Sequence, residues 1–291
     1  MPIYRRTYRN FSGEVRRHFR WGIIVEQEIR VLLKSRVFLL FLLVALLHFI
    51  VRIFQVVAAD LIMQDPNSPW RPFLVNIKAL MIENQTYFDF VRIQGPLVFL
   101  CLLYAGSGMV CNDLRNNLME IYFSKPLTWR DYALGKFMTL VVIGLVFTAV
   151  PGVVLTLLHN LMLPGLETIQ ATWWWPFSIL GFSLVMVVPG ALAILASSSL
   201  LRSESYAGIM VFMLLVADTA MSGILAGTLH REGVLVFNYA LALNRVGETL
   251  FQISHVAIRL PWGTCAAVIA TVSILSLVIL ALRIRRAEVP A

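Results

Sequence analysis

Six stretches of this chain are apolar enough and long enough to cross a bilayer, and that limits what the rest can be. They are Val37–Ala59, Gly95–Cys111, Phe137–Leu158, Phe177–Leu201, Tyr206–Leu229 and Trp262–Ile284. A spanning helix needs roughly 20 such residues, and the second stretch is short at its strict limits. In hydrocarbon the backbone must satisfy its own hydrogen bonds, so each run is predicted to be a helix. The expected fold class is therefore an all-α integral membrane protein with one six-helix domain over residues 37–284. A basic arm with an interfacial helix (1–36) precedes it, and a short tail (285–291) follows. Charged residues are 14% of the chain and hydrophobic ones 59%, whereas soluble domains are nearer a quarter charged. No room remains for a sizeable soluble domain.

The net charge of +8 raises the possibility of nucleic acid, but its distribution argues for topology instead. Basic residues crowd the N-terminus (Arg5 to Arg36), the Asn112–Lys136 loop and the tail (Arg283, Arg285, Arg286). With both termini cytoplasmic these fall on one side. The opposite loops hold few basic residues, and those are offset by Asp60, Asp65, Glu83, Asp89, Glu167, Glu232 and Glu248. This is the positive-inside pattern, with anionic lipid as a further partner and nucleic acid excluded. The expected location is the cell (inner) membrane. Cys101, Cys111 and Cys265 lie in or at the end of apolar runs and make neither a disulfide framework nor a metal knuckle. No cleavable signal peptide is visible, because the first apolar run follows a long basic segment and is a full span.

The segment Gly106–Lys136, GSGMVCNDLRNNLMEIYFSKPLTWRDYALGK, joins the second and third runs. It is too long for a turn and too amphipathic for a linker. In Asn112–Phe123 the residues Leu114, Leu118, Ile121 and Tyr122 recur at helical spacing. A helix lying flat on the membrane surface is predicted, with one face free for a soluble partner. Its candidate docking residues are Asp113, Arg115, Asn116, Asn117, Glu120, Tyr122, Ser124, Pro126 and Arg130. Upstream, WGIIVEQEIRVLLKSRVFLL reads as an interfacial helix over Ile23–Lys34 that bends into the first span. Glu26, Glu28, Arg30 and Lys34 are its charged residues. A plain extension of the first span is the alternative, but the charges sit too close together to enter lipid.

On the outer side, Arg71–Phe90 reads as an amphipathic surface segment, and Asn84-Gln85-Thr86 fits a glycosylation triplet. Trp173-Trp174-Trp175 reads as an aromatic belt. Pro151-Gly152 and Pro189-Gly190 are expected to kink the third and fourth spans. A turn at Arg202–Ser205 makes spans four and five a hairpin. The His230–Pro261 segment, apolar but interrupted by Asn238, Asn244, Arg245, Glu248 and His255, is expected to form two short re-entrant or surface helices.

His48, Arg52 and Asp218 are the polar residues singled out inside the spans. Such residues are costly in lipid and are functional or paired. At about 1.5 Å per residue, Asp218 lies about 18 Å and Arg52 about 22 Å from the inner ends of their spans. An Asp218–Arg52 pair, or a polar path at a subunit interface, follows as an expectation; a purely structural polar contact is the plainer reading. Beyond Asp218, Gly223 and Gly227 form a GxxxG pair that lets helices approach closely, which makes span five the candidate contact between protomers.

No catalytic constellation stands out. The chain has no Walker A loop, HExxH, GxSxG or HxE–PCxxC, and its five histidines are scattered. Neither a cofactor nor a metal is expected in this chain.

Taken together, the Gly106–Lys136 segment resembles the stretch between the second and third helices of ABC-2-type transporter permeases. The matching residues are Asp113, Asn116-Asn117, Met119–Ile121, Ser124-Lys125-Pro126, Arg130, Tyr132 and Gly135-Lys136. Glu28-Ile29-Arg30 with Lys34-Ser35-Arg36 resembles the family's entry into its first helix, and Leu201-Arg202-Ser203 its turn before helix five. Asn116-Asn117 departs from the Gly-Thr of many members. The resemblance implies two permease subunits beside two separate cytoplasmic ATPases, which would carry the Mg-ATP. It implies that Asn112–Phe123 is the coupling helix, that Ile23–Lys34 braces it, that His230–Pro261 gates the outer mouth, and that transport is export. An ion-coupled secondary transporter using Asp218 and Arg52 is the alternative, but such folds carry inverted repeats, and none is seen. A membrane enzyme lacks its signature residues, and a non-transporting assembly subunit remains a further reading.

Overall fold

In the computed structural model of the chain, residues 20–65, 67–76, 81–124, 127–163, 165–230, 232–253 and 260–288 are described. Every regular element among them is helical. Helix α1 (Arg20–Leu32) turns at Ser35 into α2 (Arg36–Gln64). Then come α3 (Arg71–Asn76) and α4 (Asn84–Gly106), followed by the short α5 (Cys111–Arg115) and α6 (Leu118–Phe123). Next are α7 (Trp129–Phe147), α8 (Ala149–Met162), α9 (Leu166–Thr172), α10 (Trp175–Leu200) and α11 (Glu204–Leu229). A 3-10 turn (Glu232–Phe237), α12 (Tyr239–Leu250) and α13 (Trp262–Glu288) complete the chain. Six passes are long and apolar enough to cross a membrane: α2, α4, α7 with α8, α10, α11 and α13.

The elements start where the local chemistry lets them. Thr128 and Asp131 cap α7 reciprocally, each side chain accepting from the other's backbone N–H. Glu83 and Thr86 do the same at α4, and Asn238 accepts from Leu241 N–H at α12. Helix α10 is the centre of the bundle and packs on α4, α7, α8, α11 and α13. Its lower half buries Ala191, Ile194 and Leu195 with Leu102 and Leu140. Its upper half buries Trp175, Ile179 and Phe182 with Tyr87, Phe90 and Phe251. By contrast α2 and α11 lie at the flanks and leave most of their apolar surface uncovered within one chain.

Several expectations change. The second span begins at Asn84 rather than Gly95, so the residues up to Phe90 are not an outer surface segment. Tyr87, Phe88, Phe90 and Val91 are buried against other helices. Asn84 is not a displayed acceptor site: its amide donates to the Phe251 carbonyl at 2.5 Å. Of the tryptophan triplet, Trp173 is exposed, but Trp175 is core, with its ring 4.9 Å from Tyr87 and 5.7 Å from His159. The third span is two helices meeting at Thr148, one turn before Pro151, because proline withdraws the donor for the carbonyl four residues back. Helix α10 runs through Pro189 without interruption.

After α11, His230 takes a left-handed conformation (φ 47°) and the chain turns back. Tyr239 N–H donates to Asp218 Oδ2 at 2.8 Å. Asp218 lies eleven residues before the end of α11 (229 − 218), so the segment returns about 16 Å along that helix. The two short helical elements described in this segment are the 3-10 turn and α12; His255 lies outside the described residues.

Candidate functional site

The candidate site lies at the end of the bundle where α1, α5, α6 and the start of α7 meet. Its centre is Lys136 on α7, only 2% exposed. Its ammonium donates to Glu28 Oε1 on α1 at 2.6 Å and contacts Asp113 Oδ2 on α5 at 2.8 Å. Tyr132, one turn earlier on α7, donates its hydroxyl to the same Asp113 oxygen at 2.7 Å. The rings of Tyr132 and Tyr122 flank the ammonium, with centroids 5.4 and 6.0 Å away. Burial pushes the Tyr122 phenol up, and the Lys136 charge pulls it part of the way back.

A buried cation with two carboxylates and a hydroxyl is stable only as a set, since removing one partner strands another charge. The cluster therefore ties three separate elements to the base of the third span. Packing does the same: a Cβ on Gly135 would stand 2.8 Å from Ile24 Cβ, so only glycine lets α1 lie this close on α7.

A second clamp fixes the approach to α5. Residues 107–110 leave the helix, and Ser198 of α10 fills the gap. Its hydroxyl accepts from Val110 N–H and Cys111 N–H, both at 3.1 Å, and donates to the Ser107 carbonyl at 2.7 Å. Asn112 donates to Glu204 at the start of α11, 2.9 Å away. Among apolar residues, the serine run 197–199 was the available sequence signal for this contact.

The predicted docking residues divide into two groups. Arg115, Asn116, Asn117, Glu120, Ser124 and Arg130 are exposed, together with Ile121. Asp113 is not a docking residue: it is buried and belongs to the Lys136 cluster. Tyr122 is half-buried against that cluster. Pro126 lies outside the described residues. The predicted single helix Asn112–Phe123 is broken at Asn116-Asn117, where Asn117 takes φ 54°, a conformation asparagine tolerates better than most residues. On α1, Glu26 and Arg30 form an exposed pair at 2.6 Å and Lys34 is exposed. Glu28, the remaining charged residue of that helix, turns inward to Lys136.

The intramembrane polar residues do not pair as expected. Arg52 Nη1 donates to Gln55 at 2.6 Å on its own helix, while Asp218 accepts from the first N–H of α12. An anion beside a helix N-terminus is stabilised by the unsatisfied donors and the macrodipole there. That explains Asp218 without a cation, and it removes the coupling pair of the secondary-transporter reading. His48 donates from Nδ1 to Gln94 Oε1, and its ring stacks on Phe90 at 5.1 Å. A buried pair that sequence reasoning missed joins α2 to α8: Asp60 and His159, at 2.9 Å. Asp60 had been placed in a loop. Among the described residues, nothing lies within 4 Å of a Cβ at Gly223 or Gly227.

A family model described as "ABC-2 family transporter protein" matches residues 23–284. No curated protein matches the chain.

Proposed function

Because the chain belongs to the ABC-2 family of transporter proteins, we propose that it is the permease subunit of an ABC exporter. It is a multi-pass membrane protein, and family members generally pair with cytoplasmic ABC ATPases. In this reading two copies, or this chain and a related one, form the translocation path in the inner membrane with both termini cytoplasmic. Mg-ATP is bound and hydrolysed on separate subunits, and the chain itself carries no catalysis.

One observation carries the reading. The α5–α6 segment has an exposed face (Arg115, Asn116, Asn117, Glu120, Ile121) and an underside locked to α1 and α7 by Lys136. A surface built to transmit force needs both: a free face for the partner and a stiff attachment to a membrane helix. α5 and α6 are then the coupling element and α1 its brace. The 3-10 turn and α12, held at Asp218, close the outer end of the path.

The test is co-purification from native membranes in mild detergent, parent against Glu120→Arg. Glu120 is exposed and outside the Lys136 cluster, so the variant folds. A nucleotide-binding subunit should accompany the parent and be lost from the variant. A properly folded parent that brings down no ATPase sinks the proposal.

A further inference from the structure

The third span is built from two helices, α7 and α8, and its break has a dedicated partner. Pro151 has no N–H, so the Phe147 carbonyl lacks its normal donor four residues on. Gln94 of α4 supplies one: its Nε2 donates to Phe147 O at 3.1 Å. The amide is itself oriented, because its oxygen accepts from His48 Nδ1 of α2. Gln94 is 2% exposed, so nothing but protein competes for these bonds. At the same point Thr148 turns its hydroxyl onto the Gly144 carbonyl at 2.9 Å, a contact that bends helices.

The two halves are attached to different things. Below the break, α7 carries Tyr132, Gly135 and Lys136, and so moves with α1, α5 and α6. Above it, α8 carries His159, which holds Asp60 near the outer end of α2. Both halves lie against α10 through glycines: a Cβ on Gly144 would meet Val187 at 2.5 Å, and one on Gly152 would meet Ile179 at 2.7 Å. At these two contacts Val187 and Ile179 seat directly on the backbone of α7 and α8, so each half keeps its own hold on α10.

We infer that the third span is a jointed lever, with its joint at Phe147–Pro151 clasped by Gln94, that turns movement of the docking end into movement of α8 and of the outer end of α2. The inference rests on the transporter reading and adds to it a positioning residue, Gln94, and a joint. Gln94 touches no cargo; it sets the angle between two halves of one span.

The experiment uses the full chain purified with its accompanying ATPase, carrying spin labels at Leu134 on α7 and Leu161 on α8, both exposed. The distance between labels is measured without nucleotide and after trapping with ATP and vanadate. In the parent background trapping should shift the distance. Gln94→Ala should broaden the nucleotide-free distribution, because the clasp is gone. Pro151→Ala restores an N–H for Phe147 O and fuses the two helices, so the shift should be lost. The double variant Gln94→Ala/Pro151→Ala separates the joint from mere folding support. Its thermal stability should return towards the parent's while the shift stays absent. Recovery of the shift in the double variant, a full shift in Pro151→Ala, or an unbroadened Gln94→Ala distribution overturns the inference. If ATP is hydrolysed and the labels do not move, the joint fails and the transporter reading stands. If no ATPase accompanies the chain, the transporter reading fails and takes the lever with it.

Discussion

Lys136 holds more of this protein together than any other single charge. It is buried, it is 108 residues from Glu28 and 23 from Asp113, and it satisfies both (136 − 28, 136 − 113). Lys136→Ala leaves two carboxylates facing each other without a cation, and breaking such a set costs about 3–5 kcal/mol. The thermal midpoint of the detergent-solubilised chain should fall clearly. Asp113→Asn keeps an acceptor for Tyr132 and leaves Lys136 paired with Glu28, so its loss should be the smaller of the two. Equal midpoints for both variants would show that Asp113, rather than Lys136, is the centre. All three charges were visible in the sequence, and Asp113 was assigned to the wrong side. On a short helix at an interface, the apolar period locates a face but cannot say whether a polar residue beside it meets solvent or a distant lysine. The same blindness hid Gln94 and the Asp60–His159 pair, whose partners are 46 to 99 residues away.

At the scale of elements, six passes were readable because lipid-facing helices must be apolar over a fixed length. Their limits were not. Hydropathy reports what faces lipid, and the start of α4 faces protein: Tyr87, Phe88 and Phe90 pack on Trp175, Phe182 and His48. A stretch with Asp89 and Arg92 in it therefore reads as surface while forming core. Pro151 announced the break in the third span, although the break falls at Thr148, next to the Phe147 carbonyl that proline leaves without its helical donor. The helix expected over Asn112–Phe123 divides at Asn116-Asn117, the pair at which the resemblance already departed from its family. Element packing gives a direct test at Gly135. A valine there would push branches into Ile24, and overpacking of this kind costs about 1–3 kcal/mol. Gly135→Val should lift α1 off α7, read as faster hydrogen exchange across Arg20–Leu32 with exchange in α10 unchanged. If α1 stays as protected as in the parent, the brace is held by charge and not by close approach.

At the scale of the whole molecule, one chain leaves an imbalance. α10 packs on α4, α5, α7, α8, α11, α12 and α13, while α11 offers Phe212, Met213, Val216, Met221 and Ile224 to its surroundings. Lipid satisfies such residues as well as protein does, so exposure alone does not choose between them. The small residues choose. A Cβ on Gly223 or Gly227 would meet nothing within 4 Å among the described residues, and a bare strip on a spanning helix gains little from lipid but lets a second backbone come close. Asp218 and Ser222 face the segment that carries α12, and the helical period puts Gly223 and Gly227 on the other side of α11, so a partner docking there would leave the α12 contact undisturbed. Gly223→Leu/Gly227→Leu fills the strip without touching any contact of the single chain, and folding should be unaffected. Native mass spectrometry from mild detergent should then find the parent with two copies and the variant with one. Two copies in both would place the interface on another helix, with α2, the other open flank, next in line. One copy in both would assign α11 to lipid and leave the translocation path to be built within a single bundle, around α10.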